Sequence, residues 1–148
     1  TPLGVITQSE MAGLDMTVNY YRNGTRNNEP NYKQGEDIVA EITIRNTGNI
    51  GLYEELALTF MFPSGFEFLN ERLTTGVNPF QGADNVDIRD DRAYLYFSLN
   101  QGQSKTFKLR FNAAYSGTYL LPAITCSAMY DNSITATLPG NTITITRD

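Results

Sequence analysis

The sequence predicts an all-β antiparallel β-sandwich in one domain. Apolar and polar residues alternate along several segments, and turn-forming residues punctuate the chain every 8–14 residues. Composition agrees, because 17 Thr, 14 Asn, 9 Tyr and 8 Phe suit strands and turns. No segment shows a sustained helical period.

A first strand is expected over residues 14–21, ended by Asn23-Gly24, a pair that favours a two-residue turn. Residues 22–34 are polar and read as a long hairpin connection. Next, Ile38, Ala40, Ile42 and Ile44 alternate with Val39, Glu41, Thr43 and Arg45, and Asn46-Thr47-Gly48-Asn49 stops that strand. Leu56, Leu58, Phe60 and Phe62 then alternate with Ala57, Thr59 and Met61 until Pro63-Ser64-Gly65. Residues 70–86, with Gly76, Pro79 and Gly82, make a connection long enough to be functional or mobile.

Ala93, Leu95, Phe97 and Leu99 alternate with Arg92, Tyr94, Tyr96 and Ser98. Phe107, Leu109, Phe111 and Ala113 alternate with Thr106, Lys108, Arg110 and Asn112. Asn100-Gln101-Gly102 between them reads as a hairpin turn. Pro122, inside an apolar run over 119–126, marks an edge strand or a bulge. Ser116-Gly117, Asp131-Asn132-Ser133 and Pro139-Gly140-Asn141 space the remaining strands. The spacing gives about seven to nine strands, the range of small sandwiches.

Composition excludes several functions. There is no His, which removes the Ser-His-Asp and Cys-His arrangements and the His-Glu-x-x-His zinc site. The net charge is −5, and no basic cluster exists to bind a phosphate backbone or an anionic membrane. Cys126 is the one cysteine, so no internal disulfide is available, and its simplest role is that of a small buried hydrophobe. No glycine loop for phosphate is present, since Gly48-Asn49-Ile50-Gly51 lacks the spacing and the lysine. No cofactor is implied. The start at Thr1-Pro2-Leu3-Gly4, with neither Met nor a signal sequence, reads as that of a domain separated from a larger protein.

Four clusters could carry chemistry. Asp84, Asp87, Asp90 and Asp91 could offer oxygen ligands to a hard cation, but the spacing departs from the calcium-loop pattern. Arg89 and Arg92 are interleaved, so a self-neutralised corner is the simpler reading. Tyr94 and Tyr96 share one strand face and could stack on sugars. That gives a carbohydrate-binding or adhesin module of the cell envelope as the rival function. Glu67 and Glu71 are formally available as a glycosidase pair, without distinguishing context. Asn23-Gly24-Thr25 matches a glycosylation sequon but is a turn first.

Longer strings resemble the C-terminal domain of bacterial alpha-2-macroglobulins. They are Tyr53-Glu54-Glu55-Leu56-Ala57-Leu58, Phe62-Pro63-Ser64-Gly65, Asp87 to Arg92 with Tyr94 and Tyr96-Phe97, and Asn112-Ala113-Ala114-Tyr115. Gly117, Tyr119, Leu121-Pro122-Ala123, Cys126 and Ala128-Met129-Tyr130-Asp131-Asn132-Ser133-Ile134 continue the series. The likeness spans residues 33–140. Phe66 stands where that family often has Trp.

The resemblance implies a macroglobulin-like sandwich, of the immunoglobulin/fibronectin-like kind, over residues 1–148. It implies the C-terminal part of a larger envelope protein that traps proteases, periplasmic and anchored as a lipoprotein. In that family a bait segment is cut and, in many members, a Cys-x-x-Gln thioester couples to the protease. Cys126-Ser127-Ala128-Met129 lacks that signature, so the reactive chemistry is expected elsewhere in the parent chain. This domain is then expected to be non-enzymatic. Its implied partners are neighbouring domains of its own chain, which it packs against and positions, shielding the thioester domain. The target protease would be met only through the full-length protein. The expected contact residues are Asp87, Arg89, Asp90, Asp91, Arg92, Tyr94, Tyr96, Asp131 and Asn132, which combine charge with neighbouring aromatic strands.

Overall fold

The computed structural model describes residues 8–69 and 80–147. Among them there are fourteen strands and no helix. These are β1 (Glu10–Ala12), β2 (Leu14–Arg22), β3 (Thr25–Arg26), β4 (Asn31–Lys33), β5 (Asp37–Asn46), β6 (Tyr53–Met61) and β7 (Phe66–Leu69). The others are β8 (Asn85–Ile88), β9 (Arg92–Leu99), β10 (Ser104–Ala113), β11 (Gly117–Leu121), β12 (Ile124–Ala128), β13 (Asp131–Leu138) and β14 (Asn141–Thr146).

Two antiparallel sheets face each other, ordered β1-β13-β12-β6-β9-β8 and β3-β2-β5-β10-β7. A third, β11-β14-β4, closes one end, and there β4 pairs with β14 in parallel. The alternation fills the core as expected. Ile38, Ala40, Ile42 and Ile44 of β5 and Phe107, Leu109, Phe111 and Ala113 of β10 are buried. They meet Leu56, Leu58, Phe60, Leu95, Phe97 and Cys126 from the facing sheet, all buried. Aromatic pairs span the layers, with Phe97–Phe107 centroids 5.0 Å apart and Phe60–Phe111 at 5.6 Å. Such pairs add about 0.5–1.5 kcal/mol beyond area burial.

The Asn23-Gly24 turn forms as expected. Both residues have positive φ, 51° and 88°, and Tyr21 and Arg22 pair with Arg26 and Thr25 across it.

Several connections differ from the sequence reading. Asn100-Gln101-Gly102 does not join hairpin partners. β9 lies in the six-stranded sheet and β10 in the five-stranded one, so the turn crosses between layers. Both strands bury one face, and alternation cannot say whether two such faces lie side by side or opposite each other. The connection over 22–34 contains β3 and β4. Pro122 directly follows β11, an edge strand of the three-stranded sheet as expected, while β12 after it is central in the six-stranded sheet. The strands exceed seven to nine because corners split them. One such corner is Gly13 (φ 74°), which moves the chain from β1 in one sheet to β2 in the other. Asp131-Asn132-Ser133 is not a turn either: it opens β13, and the reversal occurs at Met129 and Tyr130. Most of the 70–86 connection lies outside the described residues, and β8 begins within its last two.

Candidate functional site

β6 runs antiparallel to both β9 and β12. This fixes two ends of the six-stranded sheet. Met61 pairs with Arg92 at one end, and Tyr53 pairs with Leu99 at the other. Seven residue steps along β9 separate them by about 23 Å. The expected contact residues therefore fall into two groups. Asp87, Arg89, Asp90, Asp91 and Arg92 sit at the first end, around the β8–β9 hairpin. Asp131 and Asn132 sit at the second, where β12 and β13 turn. Tyr94 and Tyr96 lie along β9 between them.

At the first end both arginines pair with aspartates. Arg89 donates to Asp87 from Nε at 3.3 Å and from Nη2 at 3.1 Å. Arg92 donates to both Asp91 oxygens, at 3.0 and 2.9 Å, and from Nη1 to the Tyr94 hydroxyl at 3.2 Å. The Arg92 hydrogen bonds hold the Asp91 carboxyl below its usual range. Among the described residues no group of three His, Cys, Asp or Glu side chains is placed to hold a metal ion. Asp84 belongs to the opposite end, since its backbone N donates to the Tyr96 carbonyl at 2.7 Å.

A hollow of about 530 Å³ opens at this corner, lined by Phe62, Phe66, Glu67, Phe68, Arg89, Asp90 and Tyr115, and an aromatic cluster packs beneath it. Phe62 stacks on Phe68 at 4.7 Å, and Phe111 touches Phe60, Phe62, Phe66 and Phe68 within 5.7 Å. The Tyr119 hydroxyl donates to the carbonyls of Tyr115 and Ser116 at 3.0 and 2.9 Å. Its ring lies against Gly65, where an added Cβ would come within 2.2 Å.

The second end differs. Ile50, Leu52, Met129 and Tyr130 are 70%, 48%, 63% and 54% exposed. Two shallow hollows of about 450 and 320 Å³ join this surface. The first is lined by Leu52, Glu54, Glu55 and Tyr130, and the second by Glu55, Asp84, Asn85, Tyr96, Phe97 and Met129. Beneath the tip, Asn46 is fully buried and fully used. Its Nδ2 donates to the carbonyls of Gly51 (2.9 Å) and Leu99 (3.1 Å), and its Oδ1 accepts from Gly48 N at 3.0 Å. Asp131 Oδ1 accepts from the Ser133 hydroxyl (2.6 Å) and backbone N (3.0 Å), which holds that carboxyl below its ordinary range. Asn132 is exposed.

Tyr94 and Tyr96 share the outer sheet face, as the alternation implies, and both are half-buried. Glu67 is exposed at the first end, and Glu71 lies outside the described residues. Cys126 is buried, and burial pushes its thiol up to about 12, so it stays protonated and unreactive at neutral pH. Sequence reasoning passed over Leu52, Met129 and Tyr130, which the structure leaves exposed. The available signal was a Met-Tyr pair in a turn otherwise marked by Asp-Asn-Ser, where apolar side chains have no conformational reason to be.

With this geometry fixed, comparison with known proteins is informative. The family model for the bacterial alpha-2-macroglobulin MG10 domain matches residues 13–132. The alpha-2-macroglobulin of Rickettsia conorii is 28% identical over 127 residues, which is 80% of this chain and 6% of its own length. The chain thus spans a small fraction of that curated relative. Native Escherichia coli alpha-2-macroglobulin, solved from domain MG7 to the C-terminus, superposes with a TM-score of 0.83. It is 16% identical, over 96% of this chain and 25% of its own. Salmonella alpha-2-macroglobulin reacted with methylamine gives 0.80 at 23% identity, over 95% and 10%. At these identities the superpositions establish the fold.

Proposed function

We infer the role of this chain from its family: it belongs to the bacterial alpha-2-macroglobulin MG10 domains. The reading is a non-catalytic docking module of a protease-trapping envelope protein. It packs against neighbouring domains of its own chain and positions them while a protease is captured. The observation that carries it is the exposed apolar tip formed by Ile50, Leu52, Met129 and Tyr130. A contiguous apolar surface on a well-packed domain marks a place where another surface sits. Buried Asn46 supports the same reading, because it makes the base of the tip rigid. A firm apolar surface excludes water from whatever it covers, which suits a domain that shields a hydrolysable thioester. The parent chain would act in the periplasm, tethered as a lipoprotein.

Hydrogen exchange tests this. Amides of residues 127–132 should exchange more slowly in the parent chain than in the isolated 148-residue chain, and Met129→Ser with Tyr130→Ser should abolish the difference. Identical exchange in the two contexts would refute docking through this tip.

A further inference from the structure

Between β2, of the five-stranded sheet, and the end of β13, of the six-stranded one, the sandwich has a seam with a hollow of about 440 Å³. Its lining includes Met16, Val18, Tyr20, Leu121, Ile124 and Leu138, and no charged residue takes part. Tyr20 is 8% exposed, and its hydroxyl donates to no described residue. A buried hydroxyl without an acceptor, beside an apolar hollow, suits an occupant that brings both apolar side chains and a carbonyl.

The backbone beside the hollow is a second, independent observation. Asn23 N donates to the Asp37 carbonyl and Thr47 N to the Gly13 carbonyl, which sets the alternation of β2: its odd-numbered residues bond to β5. Even-numbered residues therefore turn their N–H and C=O away from β5. At Tyr20 these groups are met by Asn28 Oδ1 at 2.7 Å and by Asn27 N at 2.8 Å. β3 reaches only Tyr21 and Arg22, so among the described residues no strand pairs with Met16 or Val18 on that side. An open strand edge beside an apolar hollow fits an extended peptide, whose main chain pairs with the edge and whose side chains fill the hollow.

The chain itself supplies such a peptide. β1 starts at Glu10 opposite Thr137, a register that leads back toward Leu138 at the rim of the hollow, and the chain bends at Gln8 off the line of β13. The residues before it read Thr1-Pro2-Leu3-Gly4-Val5-Ile6-Thr7, with four apolar side chains and no charge. Seven extended residues reach about 23 Å, against about 13 Å from Met16 to Tyr20. We propose that residues 1–7 are a removable strap for this seam, their main chain paired with Met16 and Val18 and their apolar side chains in the hollow. Seated, the strap ties β2 to β13 across the two layers and covers an edge that other chains could pair with. Drawn out, it leaves a seat for another extended strand.

The test is amide hydrogen exchange on this 148-residue chain, read residue by residue by NMR. Met16 and Val18 should exchange at least about tenfold more slowly than in a variant with Leu3→Asp, Val5→Asp and Ile6→Asp, whose charges do not tolerate an apolar seat. Thr17 and Asn19, which bond to β5, should exchange alike in both proteins and so report an intact fold. A chain starting at Gln8 is the second variant and should match the first. Met16 and Val18 amides that exchange as freely as exposed ones in the unaltered chain, or equally in all three proteins, overturn the strap. Protection of these two amides that appears only in the parent chain assigns the edge to a strand from another domain and overturns it as well. Loss of protection at Thr17 and Asn19 in both variants makes residues 1–7 part of the global fold and overturns a removable strap.

Discussion

At the end of the sandwich where Phe111 meets four other phenyl rings, both arginines of the β8–β9 hairpin pair with an aspartate of the same hairpin. At the opposite end, Met129, Tyr130 and Leu52 face solvent beside Glu54, Glu55 and Asp84, which form no ion pair among the described residues. The first end has the denser charge and the second is the stronger candidate for a partner. Charge density is therefore a poor guide to binding, because exposed pairs between near neighbours satisfy themselves and leave little for another surface. Apolar side chains and carboxylates without partners carry the signal instead.

This contrast predicts that stability and docking separate along the molecule. The largest effect is expected from Phe111→Ala at the filled end. It removes a ring shared by four aromatic contacts and should destabilise by about 3–5 kcal/mol, read by chemical denaturation. A loss under about 1 kcal/mol would mean that the cluster is loosely packed and the contrast between the ends is weaker than drawn.

A smaller effect follows from Tyr119→Phe at the same end. The hydroxyl bonds to Tyr115 and Ser116 disappear while the ring stays against Gly65. The expected loss is about 1 kcal/mol, in the range of an ordinary hydrogen bond. An unchanged melting temperature would show that water replaces those carbonyl partners without penalty.

The smallest effect belongs to the tip. Glu54→Gln with Glu55→Gln should change stability by no more than about 0.5 kcal/mol, because both residues are exposed and their side chains form no ion pair among the described residues. A large loss in thermal melting would mean that the rim supports the fold, and the division between the ends would collapse.

Much of this was legible in the sequence. The strands β5, β9 and β10 lie where the alternation of 38–45, 92–99 and 106–113 places them, give or take two residues at their ends. The faces they bury follow from the same period. The Asn23-Gly24 turn and the inert Cys126 were also readable. The exposed tip was legible only in part. Charge and aromatic content selected Asp87 to Arg92, where Arg89 pairs with Asp87 and Arg92 with Asp91. The actual turn at Met129 and Tyr130 was hidden by Asp131-Asn132-Ser133, which looks more like a turn but begins a strand.

Sequence by itself determined the local layer of this protein: which residues alternate, where the chain can bend, and that no histidine chemistry is available. Those properties depend on neighbours a few positions apart. Only the tertiary structure decided which sheet each strand joins, and hence that β9 and β10 face each other across the core. It also decided that Asp87 to Arg92 and Asp131 stand at opposite ends, and that Glu54, Glu55, Asp84 and Met129 share one. Strands of the same period are interchangeable locally. Their places are settled by which combination of distant pairings buries all the apolar faces at once, and that choice is made by the whole chain.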